Sequence, residues 1–225
     1  GLLRKPLVNG ADSFEVREFA NQIGVGESEY TKYDRVVCDT ACAWLQAHGR
    51  QQDKPWVMFT SFISPHYPLV APREFYDLYD DTSVGLPHKL NAISEHPVVR
   101  ELQHFFNYAD YIDEDLARTG RRAYFALCSF LDYLLGTLVG ELEKQNLIDD
   151  TRIIFTSDHG EMLGNQGLWT KMVMNEDSIA VPMIISGDGV ASGKVVDTPV
   201  SLVDCYQTVM ECVDEDLTEQ ERNLP

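Results

Sequence analysis

Positive charge is the scarcest thing in this sequence: 18 lysines and arginines stand against 36 aspartates and glutamates, a net charge of -18. Such an excess repels phosphate backbones and anionic membrane surfaces, which argues against a nucleic-acid or membrane partner. An anionic substrate would need positive charge supplied locally. Long apolar runs are missing as well. No eighteen consecutive apolar residues occur, so no transmembrane span is expected. The five cysteines, Cys38, Cys42, Cys128, Cys205 and Cys212, are odd in number and form no CxxC pair. They read as reduced, mostly buried thiols of a cytoplasmic protein, although a large secreted enzyme, a periplasmic one for instance, could carry the same set. The chain starts at Gly1 without a methionine or a signal peptide, and the expectation is that the true N-terminus lies upstream. Internal repeats and low-complexity tracts are also lacking.

What is present is ordinary for a globular chain. The 225 residues, 44% hydrophobic and 24% charged, can bury a sizeable core. Residues 1–31 show only weak periodicity around Phe14, Val16 and Phe19. From Tyr33 to His48 apolar residues recur at helical spacing, and Gly49 provides a stop. Trp56 to Ile63 is a nearly continuous apolar run, predicted to be a strand buried on both faces. Arg73 to Tyr79 reads as a short helix or turn whose aromatics serve core or subunit contact, with the lining of a pocket beside His66 as the alternative. Residues 80–96 form a polar loop in which Asp80-Asp81 are turn formers. Val98 to Tyr111 is predicted to be helical, and Arg121 to Gln145 is a long core-packing helix. Ile153-Ile154-Phe155 follows as a strand, making helix, turn and strand a crossover candidate. Val181 to Ser186 is a second buried strand, and Ser201 can cap a helix to Val213. These elements divide as a lead-in over 1–55, a main domain over 56–213 and an acidic linker over 214–225.

Two places carry chemistry. Asp158 and His159 sit where the Ile153 strand ends, the usual location of ligands in open α/β sheets. A carboxylate beside an imidazole suits a divalent cation, provided the backbone turns, which Gly160 allows. A bare Asp-His-Gly turn is the plainer alternative. His66 lies in Ser64-Pro65-His66-Tyr67-Pro68, where two prolines stiffen the loop after the Trp56 run and place it to act on a ligand; a loop histidine bonded to a carbonyl is the plainer alternative.

Taken in order, these motifs resemble the sulfatases of the alkaline phosphatase superfamily. The matching residues are Phe62-Ile63-Ser64-Pro65-His66, the helix from Arg121 to Gln145, Thr156-Ser157-Asp158-His159-Gly160-Glu161, Leu168-Trp169-Thr170-Lys171, and then Val181 to Ile185 and Ser201 to Asp204. The resemblance covers about 56–210. It implies an α/β fold with an alkaline phosphatase-like mixed sheet and helices on both faces, truncated at both ends. It further implies that Asp158 and His159 bind a divalent metal, calcium first, with manganese, magnesium or zinc as alternatives. His66 and Lys171 would contact the ester oxygens, and either could protonate the leaving oxygen. The substrate would be a small sulfate ester. A phosphonate or phosphodiester hydrolase of the same superfamily is the alternative, and a non-catalytic binding domain on this scaffold is a third reading. A homo-oligomer is allowed.

The departures from the family pattern are equally specific. The family's Cys-x-Pro-x-Arg or Ser-x-Pro-x-Arg motif, whose Cys or Ser becomes the formylglycine nucleophile, is absent: Cys128 is followed by Ser129-Phe130-Leu131, and no other cysteine comes closer. Asp80-Asp81 and Asp149-Asp150 do not replace the family's upstream Asp pair. Asn165-Gln166 stands where an acidic residue and a His are often found. The expectation is a piece of a longer enzyme, with the nucleophile outside this chain and no turnover from the piece alone.

Overall fold

The computed structural model describes residues 14–213 and Thr218. Residues 1–13 of the lead-in and the acidic linker over 214–225, apart from Thr218, lie outside the described residues. The chain forms two compact units, one built from residues 14–36, 62–135 and 159–180, the other from 37–61, 136–158 and the residues from 181 onward.

The first unit begins with helix α1 (Phe14–Asn21) and strand β1 (Ile23–Val25). Helix α2 (Glu29–His48) starts four residues earlier than its apolar periodicity suggests. The cause is a reciprocal cap: Thr31 N–H donates to Ser28 Oγ, and Ser28 N–H donates to Thr31 Oγ1. Strand β2 (Leu69–Ala71) pairs in parallel with β1, with Ile23 opposite Leu69 and Val25 opposite Ala71. At three residues each, both strands are too short for alternation to announce them. Helix α3 (Arg73–Tyr76) sends Phe75 against Phe130, with ring centroids 5.5 Å apart, so the aromatic run serves the core. Asp80 caps helix α4 (Asp81–Val84) by accepting from Thr82 and Ser83, and those hydrogen bonds hold its carboxyl below the usual carboxylate range. Helix α5 (Pro97–Phe106) ends at Asn107 in the left-handed conformation.

Helix α6 (Glu114–Lys144) extends seven residues upstream of its expected start, because Asp113 Oδ1 accepts the Leu116 N–H and caps it. By length and composition alone α6 could cross a membrane. Its buried residues Ala123, Ala126, Leu127, Phe130 and Leu134 instead form the one-sided stripe of a core helix. Helix α7 (Glu176–Ile179) closes the first unit.

In the second unit Leu45, Leu142 and Leu147 form a core, against which Trp44, Trp56, Met58 and Ile153 pack. Strand β3 (Ile153–Thr156) pairs antiparallel with β4 (Met183–Ser186), Phe155 facing Ile184. Among the described residues β3 has no parallel partner, so the crossover expected from helix, turn and strand is not closed there. The strand expected over 56–63 is corrected in two respects. It belongs to no ladder among the described residues, and its burial alternates: Trp56 and Met58 face the core while Val57 is 59% and Phe59 91% exposed. An all-apolar run conceals this period-two geometry. Strand β4 is likewise largely exposed rather than buried, with Ile184 and Ile185 facing solvent. The helical residues of α8 (Asp204–Cys212) start three positions after Ser201, and Ser201 stands at the entry: its Oγ accepts the Val203 N–H at 3.4 Å and its N–H donates to Asp204 Oδ2 at 2.8 Å. Leu142→Ala should cost about 2–5 kcal/mol of stability, read as a lowered denaturation midpoint of the full-length protein at unchanged m-value.

Candidate active site

His66 lies between α2 and β2 on a turn in which its N–H donates to Ile63 O at 2.9 Å. Its ring Nδ1 sits 2.7 Å from Tyr67 O. A carbonyl only accepts, so Nδ1 carries the hydrogen and, in the neutral ring, Nε2 carries the lone pair. Lys171 Nζ lies 2.6 Å from that Nε2 and donates to it. The sequence-predicted pair is thus brought into direct contact across 105 residues.

Two aromatic contacts bring the loops together. Phe19 of α1 stacks on Tyr67 at 4.6 Å and tilts against Trp169 at 5.7 Å. Trp169 is buried, and Gly120 of α6 lies beneath it: a Cβ there would stand 3.0 Å from the indole Cη2. The loop carrying Lys171 is closed by Met162 N–H to Thr170 O and Gly164 N–H to Leu168 O, both 2.9 Å. Glu161 Oε1 accepts from Leu163 and Thr170 within it. Burial first raises the Glu161 pKa, and these amides together with Lys171 and His159 oppose the rise.

His159 lies beside His66, its ring 5.8 Å from that of His66 at 66°. Its Nδ1 lies 2.7 Å from Gly160 O, so Nδ1 again takes the hydrogen and Nε2 the lone pair. A backbone carbonyl that fixes the tautomer in this way is a common support for a metal-binding imidazole. Tyr30 at the start of α2 approaches His66 edge-on at 6.3 Å. Asp158 is exposed, and the boundary between the two units falls at the peptide bond joining it to His159.

Three features depart from the sequence reading. Gly160 is needed for room and not for an unusual φ: a Cβ would lie 2.2 Å from Asp177 O, and its N–H donates to Ser178 O. Asn165 and Gln166 are structural. Asn165 Oδ1 accepts from His88 N–H at 2.8 Å, and Gln166 O accepts from Gln103 Nε2. Asp34 was missed. Fully buried on α2, it accepts from Ile63 N–H and Ser64 N–H, both at 2.8 Å, just ahead of His66. No local pattern marks it, because its partners lie 29 and 30 residues away.

All five cysteines are free thiols, and burial pushes Cys128, like Cys38, up to about 12.

The chain belongs to the sulfatase family, whose model matches residues 9–215. It is 38% identical over 199 residues to the choline-sulfatase of Rhizobium meliloti (strain 1021), covering 84% of this chain and 38% of that protein. It is 31% identical over 188 residues to arylsulfatase K of Xenopus laevis, covering 77% and 35%. Among solved structures it resembles the phosphonate monoester hydrolase SpPMH from Silicibacter pomeroyi, with TM-score 0.67, 27% identity and coverage of 80% and 38%. The alkaline phosphatase-like α/β fold expected from the motifs is therefore borne out. The chain spans a little over a third of the length of these relatives. Sulfatases as a family use a metal ion and formylglycine. The carboxylate of Asp158 and Nε2 of His159 are chemically apt metal donors. Two donors fall short of a full set, and among the described residues no group of three or more His, Cys, Asp or Glu converges on one point.

Two outcomes follow from this geometry. Gly160→Ala should displace α7 or the Asp158–Glu161 turn and lower the melting temperature by several degrees, whereas Gly136→Ala, where a Cβ meets nothing within 4 Å, should not. Cys128 should be alkylated by iodoacetamide at pH 8 at least about 100-fold more slowly than an exposed thiol, since at that pH it is almost wholly protonated.

Proposed function

We infer that this chain is the part of a metal-dependent sulfuric ester hydrolase that binds the ester oxygens and supplies half of a metal site. The 2.6 Å contact between Lys171 Nζ and His66 Nε2, with His159 behind it, carries the reading. It concentrates an ammonium and two imidazoles in a protein of net charge -18. Displacement at sulfur builds negative charge on the equatorial and leaving oxygens, and hydrogen-bond donors already in place stabilise it. Lys171 donates an N–H to an ester oxygen, and the proton that neutralises the departing alkoxide or phenoxide comes from the Lys171 ammonium, directly or through His66 Nε2, which leaves Lys171 as a neutral amine. Asp158 and His159 are the residues of this chain that would hold a divalent cation, calcium first. The ion, when bound, supplies Lewis-acid polarisation of an ester oxygen. The nucleophile, a formylglycine, belongs to a part of the enzyme outside this chain.

Sulfate esters are the first substrate class, supported by the choline-sulfatase and arylsulfatase relatives. A phosphonate monoester is the second, supported by the likeness to SpPMH. The two have similar shape and charge demands at the same pair. The full-length protein should hydrolyse 4-nitrophenyl sulfate faster than 4-nitrophenyl phenylphosphonate; the reverse order would replace the first class by the second. His66→Ala and Lys171→Ala should each lower kcat/KM by roughly 100-fold or more, and Asp158→Ala should lower metal content measured by mass spectrometry. Full activity in all three variants would sink the enzyme reading.

A further inference from the structure

Two carboxylates outside the His66–Lys171 pair each grip two backbone amides on the segment that carries one member of it. Asp34 divides its grip between its oxygens: Oδ1 takes the Ile63 N–H and Oδ2 the Ser64 N–H, each at 2.8 Å. Ser64 stands two residues before His66. Glu161 grips with one oxygen: Oε1 takes the Leu163 N–H at 3.0 Å and the Thr170 N–H at 2.5 Å. Thr170 immediately precedes Lys171.

An aspartate inside a helix tends to compete for nearby backbone groups. Asp34 turns that tendency onto another segment, and with no exposed surface its charge is answered by those amides. The two grips act on opposite sides of one contact that spans 105 residues. We propose that Asp34 and Glu161 are positioning residues that together set the separation of His66 and Lys171, and with it the point where both meet an ester oxygen. Neither acts as a proton donor or acceptor in this role. The proposal rests on the reading of His66 and Lys171 as the ester-oxygen contacts.

The different use of oxygens makes the role testable by near-isosteric changes. In Asp34→Asn the amide nitrogen replaces one acceptor and opposes a backbone N–H, so the grip fails. In Glu161→Gln the single working oxygen is kept, so the grip survives. In the full-length protein acting on 4-nitrophenyl sulfate, Asp34→Asn should lower kcat on the order of 100-fold with KM within about threefold, because small misplacements of a catalytic group cost that much. The ring 15N resonances of His66 should shift in the same variant. Leu142→Ala, which removes a side chain from a core that contains neither His66 nor Lys171, should keep kcat per folded molecule, which separates positioning from general loss of stability. Glu161→Gln should stay within about threefold of the parent, while Glu161→Ala falls at least tenfold.

Asp34→Asn with kcat within threefold, in a protein where His66→Ala is inactive, overturns the proposal and leaves the functional reading standing. An active His66→Ala overturns the reading and the proposal with it. Should Asp34→Asn fail to fold, the Glu161 pair decides: equal losses in Gln and Ala variants would mean that charge, and not the grip of one oxygen, is what matters.

Discussion

The ring of Phe19 lies between Tyr67 and Trp169, and each of these neighbours adjoins a reactive residue. Tyr67 follows His66, and Trp169 stands two positions before Lys171. Two groups 105 residues apart meet at 2.6 Å only if tertiary packing holds their loops together. Aromatic pairs of this kind contribute about 0.5–1.5 kcal/mol each beyond the area they bury. Phe19 and Trp169 are themselves buried, so the loops that carry His66 and Lys171 are backed by apolar rings. Trp169 cannot retreat, because Gly120 brings the α6 backbone against it. Rigid aromatics, and not the flexible lysine stem, therefore determine where the ammonium stands.

Polar details complete what these rings begin. His66 and His159 each give Nδ1 to a neighbouring carbonyl, at 2.7 Å in both cases, so both rings carry their lone pair on Nε2. One Nε2 receives the lysine proton; the other has the chemistry of a metal donor. The two histidines share one local device, a carbonyl that takes the Nδ1 hydrogen.

Much of this site was legible in the sequence for a simple reason. His66, Asp158, His159 and Lys171 are chemically distinctive residue types placed after apolar runs, within ordered motifs. Asp34 and Glu161 were not legible as partners, since a carboxylate in a helical pattern reads as solvated surface and its true contacts are set by the fold. The helix cores were read correctly from their periodicity, but their starts were not: Ser28 with Thr31, and Asp113 with Leu116, extend α2 and α6 upstream of their apolar stripes. The run from Trp56 to Ile63 failed differently. With apolar residues on both faces its composition could not show that Val57 and Phe59 point outward. Strands β1 and β2, three residues each, lie below the length at which alternation is a signal.

The acidic excess, which argued against nucleic-acid and membrane partners, leaves room for a small anion once the placement of its carboxylates is known. Carboxylates are used on the backbone: Asp80 and Asp113 cap helices, while Asp34 and Glu161 hold loops. Each is answered locally by N–H groups, and its field is correspondingly reduced. The remaining surface charge acts through solvent and decays over about 8–10 Å at physiological ionic strength. Inside that distance the Lys171 ammonium lies with the two imidazoles, and on the proposed reading these are the groups that would meet an ester. On that reading, net charge sets how fast such an anion arrives, and the His66–Lys171 contact sets whether it is held.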